Sequence, residues 1–188
     1  ERFKARKFAA RVVDRLNFAP DSSLHGSIRQ HTNPAGVLSD IAMQKLVMNS
    51  ASDGAVREFI RFEDRDVHAY RLISEFFAAV EEVFGAEWVG MTPRQSRLVH
   101  GAGLVAMGIV MDNLYFAEGA TTRDQFAPGL ELLKPATRWT SGQWVFSDTD
   151  LRSWNAIQNT PSDIDMLTKY LRESLKRALR KPRKVSNG

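Results

Sequence analysis

Residues 96–113 read SRLVHGAGLVAMGIVMDN, and the use made of the two glycines near its start decides between an α/β fold and a helical one. Gly101-Ala102-Gly103-Leu104-Val105-Ala106 spells G-x-G-x-x-A, the turn that holds a dinucleotide pyrophosphate. Glu118 follows at about the spacing of the acidic residue such a site uses for the ribose. The spelling works only in context: a buried strand must deliver the chain to the first glycine, and the next helix must aim its free N–H groups at the phosphates. Between Thr92 and His100 only Leu98 and Val99 could form that strand, against a usual length of about five or six residues. Pro93 instead predicts a helix that opens there and runs through the quoted stretch. Both glycines then lie inside it, where each costs about 1 kcal/mol relative to alanine. Close packing is the ordinary compensation. Ser96, Gly103 and Ala106 would let another helix approach, the aromatic 66–84 helix being the expected neighbour. No nucleotide or other cofactor is expected.

Working outward, helical periodicity dominates. Phe8, Ala9, Val12, Val13 and Leu16 form one apolar stripe on a helix from about Phe3 to Asn17, and Lys4, Arg6, Lys7, Arg11 and Arg15, with Arg2 just ahead of it, occupy much of the remainder. Asn17 to Gly26 is rich in turn formers. Ser27 to Thr32 reads as a short extended piece, followed by a turn at Asn33-Pro34-Ala35-Gly36. Ser39 has the character of an N-cap, with Asp40 at the positive end of the helix dipole and Leu38 placed to staple onto Met43. That helix should run to about Ser50.

Between Asp66 and Phe84, Val67, Tyr70, Ile73, Phe76, Phe77, Val80, Val83 and Phe84 make one broad apolar face, with Gly85 as the expected stop. Residues 117–150 are less periodic, punctuated by Gly119, Pro128, Gly129, Pro135 and Gly142, with Gln143 to Ser147 as a strand. Thr160-Pro161-Ser162-Asp163 starts a last helix whose apolar face is Ile164, Leu167, Leu171, Leu175 and Ala178, and Pro182 ends it ahead of a frayed tail over residues 182–188. The expected fold is mainly α: one irregular helical domain over residues 1–188 with one or two short strands.

Charge is distributed unevenly. Residues 1–15 carry a net +4 and residues 169–184 a net +7, so the total of +4 leaves the middle of the chain at −7. Basic residues gathered this way are the electrostatic footprint of a polyanion binder, or else the solvated outer faces of terminal helices. With no cysteine, disulfides and thiolate zinc sites are excluded. The longest apolar run, near Leu104 to Met111, is too short to span a bilayer. A cytoplasmic protein without membrane contact is expected.

Catalytic patterns are sparse. His100 beside Gly101-Ala102-Gly103 resembles an esterase oxyanion loop, but the G-x-S-x-G nucleophile elbow is missing. His25, His31, His68 and His100 show no metal-ligand spacing, so no metal site is expected, and no acid–base carboxylate pair stands out. Arg94 and Arg97, one turn apart beside a helix N-terminus, form with His100 a possible anion site. Trp139, Trp144 and Trp154 lie among Lys134, Arg138 and Arg152, a mixture that suits either base stacking or anchorage of an irregular segment to the core.

Several stretches together resemble the DGQHR-domain family: KFAARVVDRLNFAPDSSLHGSI (residues 7–28), GVLSDIAMQKLVMNS, EFFAAVEEVFGAEW and SRLVHGAGLVAMGIVMD in that order, and WNAIQNTPSDIDMLTKYL (residues 154–171) as a closing motif. The resemblance covers nearly the whole chain. It implies a bacterial cytoplasmic protein associated with DNA, since the family includes the regulator of DNA phosphorothioation and proteins near phage-defence and DNA-modification genes. Family members carry an α/β portion with the Asp-Gly-Gln-His-Arg signature upstream of segments like these. No such string occurs here, and Gln30-His31 does not replace it, so no signature residue carries over. The expectation is therefore the C-terminal part of a larger α/β protein.

The leading expectation is an accessory nucleic-acid-binding or regulatory module of a DNA-modification or defence-associated protein, without catalysis of its own. DNA would be held by Lys169, Arg172, Lys176, Arg177, Arg180, Lys181, Arg183 and Lys184, of which 169, 172, 176 and 180 share one helical stripe. The alternative is a helical scaffold or oligomerisation half of an enzyme whose active core precedes residue 1. Its partners would be the N-terminal portion of the same protein or a second copy.

Overall fold

The computed structural model describes residues 2–181 and contains seven α-helices with two short two-stranded sheets, a mainly α fold. The helices are α1 (Arg2–Phe18), α2 (Asp40–Asp53), α3 (Arg65–Val83), α4 (Gly85–Trp88), α5 (Gly101–Glu118), α6 (Arg123–Leu133) and α7 (Pro161–Arg180). The parallel pair β1 (Ile28–Arg29) and β2 (Leu38–Ser39) precedes α2, and the antiparallel pair β3 (Gln143–Ser147) and β4 (Asp150–Ser153) precedes α7.

Six helices close into a ring of neighbours in the order α1, α2, α5, α7, α6, α3, and a single apolar core runs through them. The expected stripe of α1 is buried in full, and the aromatic face of α3 meets α6 edge-on, with Phe76 and Phe126 centroids 5.2 Å apart. Hydrophobic on nearly every side, α5 is the most enclosed helix and packs against both α2 and α7. Added to Gly108, a Cβ would fall 2.5 Å from Leu46 Cγ, and Ser50 donates to Asp112 at 2.6 Å. Residues 46 and 50 thus pair with 108 and 112, so α2 and α5 run in the same direction. Asn159, just before α7, touches Gly101, while Arg172 lies beside Ile109 and Asn113, so α7 runs parallel to both. Three helix N-termini therefore share one end of the molecule.

Local rules explain the starts of these helices. Ser39 Oγ accepts from the Ala42 N–H at 3.2 Å and Thr160 Oγ1 from the Asp163 N–H at 3.3 Å, both as expected for N-caps. Asn17, fully buried at the end of α1, uses its side-chain amide as a strand edge. Its Nδ2 donates to Ile28 O at 2.9 Å and its Oδ1 accepts from Ile28 N at 3.0 Å, pinning β1.

Three expectations are corrected. The helix through the quoted stretch does not open at Pro93. Thr92 O accepts one helical turn from Ser96 N, but Arg97 N then donates to Trp139 O, and α5 begins only at Gly101 with His100 as its N-cap. The 66–84 helix is not the neighbour that Gly101 and Gly103 accommodate: a Cβ at 103 would lie 1.9 Å from the carbonyl oxygen of Arg97, and one at 101 would lie 3.1 Å from Asn159. Helix-to-helix closeness falls instead at Gly108 and at Gly129, whose Cβ would meet Leu114 at 2.3 Å. Finally, α3 ends at Val83, and Gly85 starts the single turn of α4 rather than terminating a helix; the left-handed cap is Gly119 after α5, at φ 66°.

Candidate functional site

The expected cations on α7 form a coherent face. Ile164, Leu167, Leu171 and Leu175 are buried against α5 and α6. On the opposite side Lys169, Arg172, Lys176, Arg177, Arg180 and Lys181 are all exposed. None of the six has a carboxylate within ion-pair distance among the described residues, and Arg177 makes only a long 3.5 Å contact with Ser174 Oγ. At 1.5 Å per residue the stripe from Lys169 to Arg180 runs for about 16 Å. The acids on this side are Asp165 and Glu173. Arg183 and Lys184 lie outside the described residues, as does the tail over 182–188.

The cations of α1 are placed differently. Arg11 is committed to Asp66 at 2.6 Å, a hydrogen-bonded pairing that raises its pKa, and Arg15 sits over the Tyr70 ring at 6.0 Å. Tyr70 itself donates to Asp21 at 2.7 Å, and burial with this bond pushes its pKa up to about 12.

Arg97 lies close enough to His100 for its charge to act on the ring, but each is engaged by its own backbone partners. Arg97 spends its guanidinium on three carbonyl oxygens, Ile157 (2.9 Å), Pro93 (2.6 Å) and Asn155 (2.8 Å), and lies over the Trp154 ring. It clasps the 155–157 segment to the turn before α5, and burial lowers its pKa. Arg94 is exposed. His100 is half-buried, with Nδ1 accepting from Ala102 N at 3.3 Å; burial, and then the Arg97 charge, lower its pKa and favour the neutral ring. It borders an open cleft of about 690 Å³ at the shared helix N-termini, with Arg29, His31, Asp40, Gly101 and Asn159. No strand feeds that end of α5, so the glycines there belong to a helix start and not to a dinucleotide turn.

The tryptophans anchor. Trp139 and Trp144 are buried edge to face, 5.1 Å between centroids, and Trp144 packs on Tyr170 of α7. Arg152 is held by Asp150 and Asp163, which fixes the hairpin against the start of α7 and raises the arginine's pKa. Among the described residues no group of three or more His, Cys, Asp or Glu is placed to hold a metal ion, and no helix is long and apolar enough to cross a membrane.

Sequence reasoning passed over Asp112, which lies deep between α2 and α5. Its Oδ1 accepts from Ser50 Oγ at 2.6 Å and from the Ala55 N–H at 2.9 Å, while burial raises its pKa. An aspartate within a long apolar helix was the available signal. No protein-family model, curated protein or solved structure matches the chain.

Proposed function

We propose that the chain is a nucleic-acid-binding helical module that engages phosphates through the outward face of α7. In this reading it serves as the accessory or regulatory part of a cytoplasmic, DNA-modification or defence-associated protein of the DGQHR type, and performs no catalysis itself. The observation that carries the reading is the row of exposed cations from Lys169 to Lys181, outnumbering the acids Asp165 and Glu173 on that side and in no ion pair among the described residues, on a helix whose opposite face is locked into the core. Fixed cations at successive turns displace the condensed counterions of a polyanion, so binding should weaken steeply with salt. The test is titration of duplex DNA with the full chain at two salt concentrations. Tight binding at low salt that collapses at high salt supports the proposal; no binding at low salt, or an affinity indifferent to salt, rejects it.

A scaffold role is favoured by a separate observation. Ile41 (79% exposed) and Val89 (61%) are large apolar side chains left open in adjoining clefts at the shared helix N-termini. Such surface is where a further portion of the protein or a second copy would dock. Sedimentation of the full chain as a monomer at all concentrations would reject self-association.

A further inference from the structure

A cavity of about 530 Å³ opens between the C-terminal half of α2, the middle of α5 and Arg172 of α7. Its size lies within the range of small-molecule sites, about 300–1,000 Å³. Asp53, Asp112, Asn113 and Phe116 line it beside Arg172. Asp112 is 8% exposed, yet its two oxygens are used unequally. Oδ1 takes both hydrogen bonds, from Ser50 and Ala55. Oδ2 takes none among the described residues and lies hard against the bare α-carbon of Gly54, where a Cβ would fall 2.1 Å away. It is not sealed in, since the one fully enclosed side-chain polar atom without a partner among the described residues is Trp139 Nε1. Oδ2 therefore has no protein donor among the described residues, keeps some contact with solvent, and belongs to a largely buried residue that lines this cavity. An arriving N–H would replace water on this oxygen in a largely buried setting, where a hydrogen bond to a carboxylate is stronger than at an open surface. Asn113 commits its side-chain N–H to the Ile109 carbonyl at 2.9 Å, leaving its own oxygen as a second acceptor.

We propose that this cavity holds a single unstacked nucleobase by its exocyclic amino group, with Asp112 Oδ2 as acceptor. The inference rests on the reading of α7 as a nucleic-acid face and adds base selection to it. Arg172 belongs to both features, as a member of the cationic stripe and as a wall of the cavity, so a phosphate it holds leaves the attached base at the cavity mouth. Phe116, 57% exposed, offers a ring on which any base can stack. Two acceptors at the floor favour an exocyclic amino group, which cytosine, adenine and guanine present; the one edge donor of thymine, its N3–H, is flanked by two carbonyl oxygens that these acceptors repel.

The experiment compares oligo(dC) with oligo(dT) of equal length against the full chain at one salt concentration. The expected result is tighter binding of oligo(dC) by about tenfold, the size of one well-made buried hydrogen bond to a charged group. Asp112→Asn should bring oligo(dC) down to the oligo(dT) level without changing the salt dependence. Phe116→Ala, at an exposed position, should weaken both oligonucleotides alike. Equal affinity of the wild-type chain for the two overturns the pocket and leaves the α7 reading standing; an undiminished dC preference in Asp112→Asn also overturns it. Failure of both oligonucleotides to bind at low salt overturns the pocket; failure of duplex DNA under the same conditions removes the α7 reading as well.

Discussion

Asp112 joins three pieces of backbone through one carboxylate: the end of α2 through Ser50, the 3₁₀ turn that begins at Ala55, and α5 on which it sits. Burial disfavours its charged form, so its pKa in the folded chain stands above the ordinary carboxylate value. The sign for stability follows. Between the unfolded and the folded pKa the native chain holds a proton that the unfolded chain has released, so stability from this residue falls as pH rises through that window and is constant above it. Asp112→Asn keeps an oxygen for Ser50 and Ala55 and removes the titration. Urea unfolding of both proteins from pH 4 to pH 8 should show the wild-type chain losing stability relative to the variant as pH rises, with a plateau beyond. A difference independent of pH would mean that the carboxylate titrates as it does in water. Asn17 works at the same scale and with no titration, since its amide pairs with the Ile28 peptide in the manner of a neighbouring strand.

At the level of elements, the start of α5 shows how a sequence pattern and its physical use can part. Gly103 is required by the chain's own approach, because the Arg97 carbonyl occupies the space a side chain would need. Gly103→Ala should therefore cost about 2–4 kcal/mol in chemical denaturation, as backbone displacements of this kind do. Gly85→Ala meets nothing within 4 Å at an ordinary φ, and should be neutral or stabilising by about 0.5–1 kcal/mol. Equal effects at the two positions would refute the assignment. The stripes of α1, α3 and α7 were legible in sequence because their apolar residues recur at helical spacing, and Ser39 and Thr160 marked the starts of α2 and α7 through their caps. By contrast α6 was hidden, since Pro128 and Gly129 stand inside it. Pro128 faces solvent on the outer side, and Gly129 lets the helix close onto Leu114, so both breakers have a tertiary use that periodicity does not display. The cations of α7 were visible as residues, but which basic end is committed to partners emerged only from Arg11 with Asp66 and Arg15 over the Tyr70 ring.

Across the whole molecule the ring order places α1 and α7 opposite one another, with α2 and α5 between them on one side and α3 and α6 on the other. The two basic ends of the sequence therefore do not merge into one footprint, and a duplex lying along α7 has no reason to reach α1. This separates two explanations of any DNA affinity. If binding reflected net basic charge alone, removing two cations from either helix would have the same effect. If the α7 face is where DNA is held, Lys176→Ala with Arg180→Ala should reduce the slope of log affinity against log salt by about two, close to one for each phosphate left without its cation. Lys4→Ala with Arg6→Ala should leave that slope where it was. All four side chains are exposed, so the unfolding free energy should stay within about 0.5 kcal/mol of wild type per substitution, and a change in slope can then be assigned to the phosphate interaction itself. Equal slopes in the two double variants would return the affinity to bulk charge and leave the outward face of α7 as solvated surface.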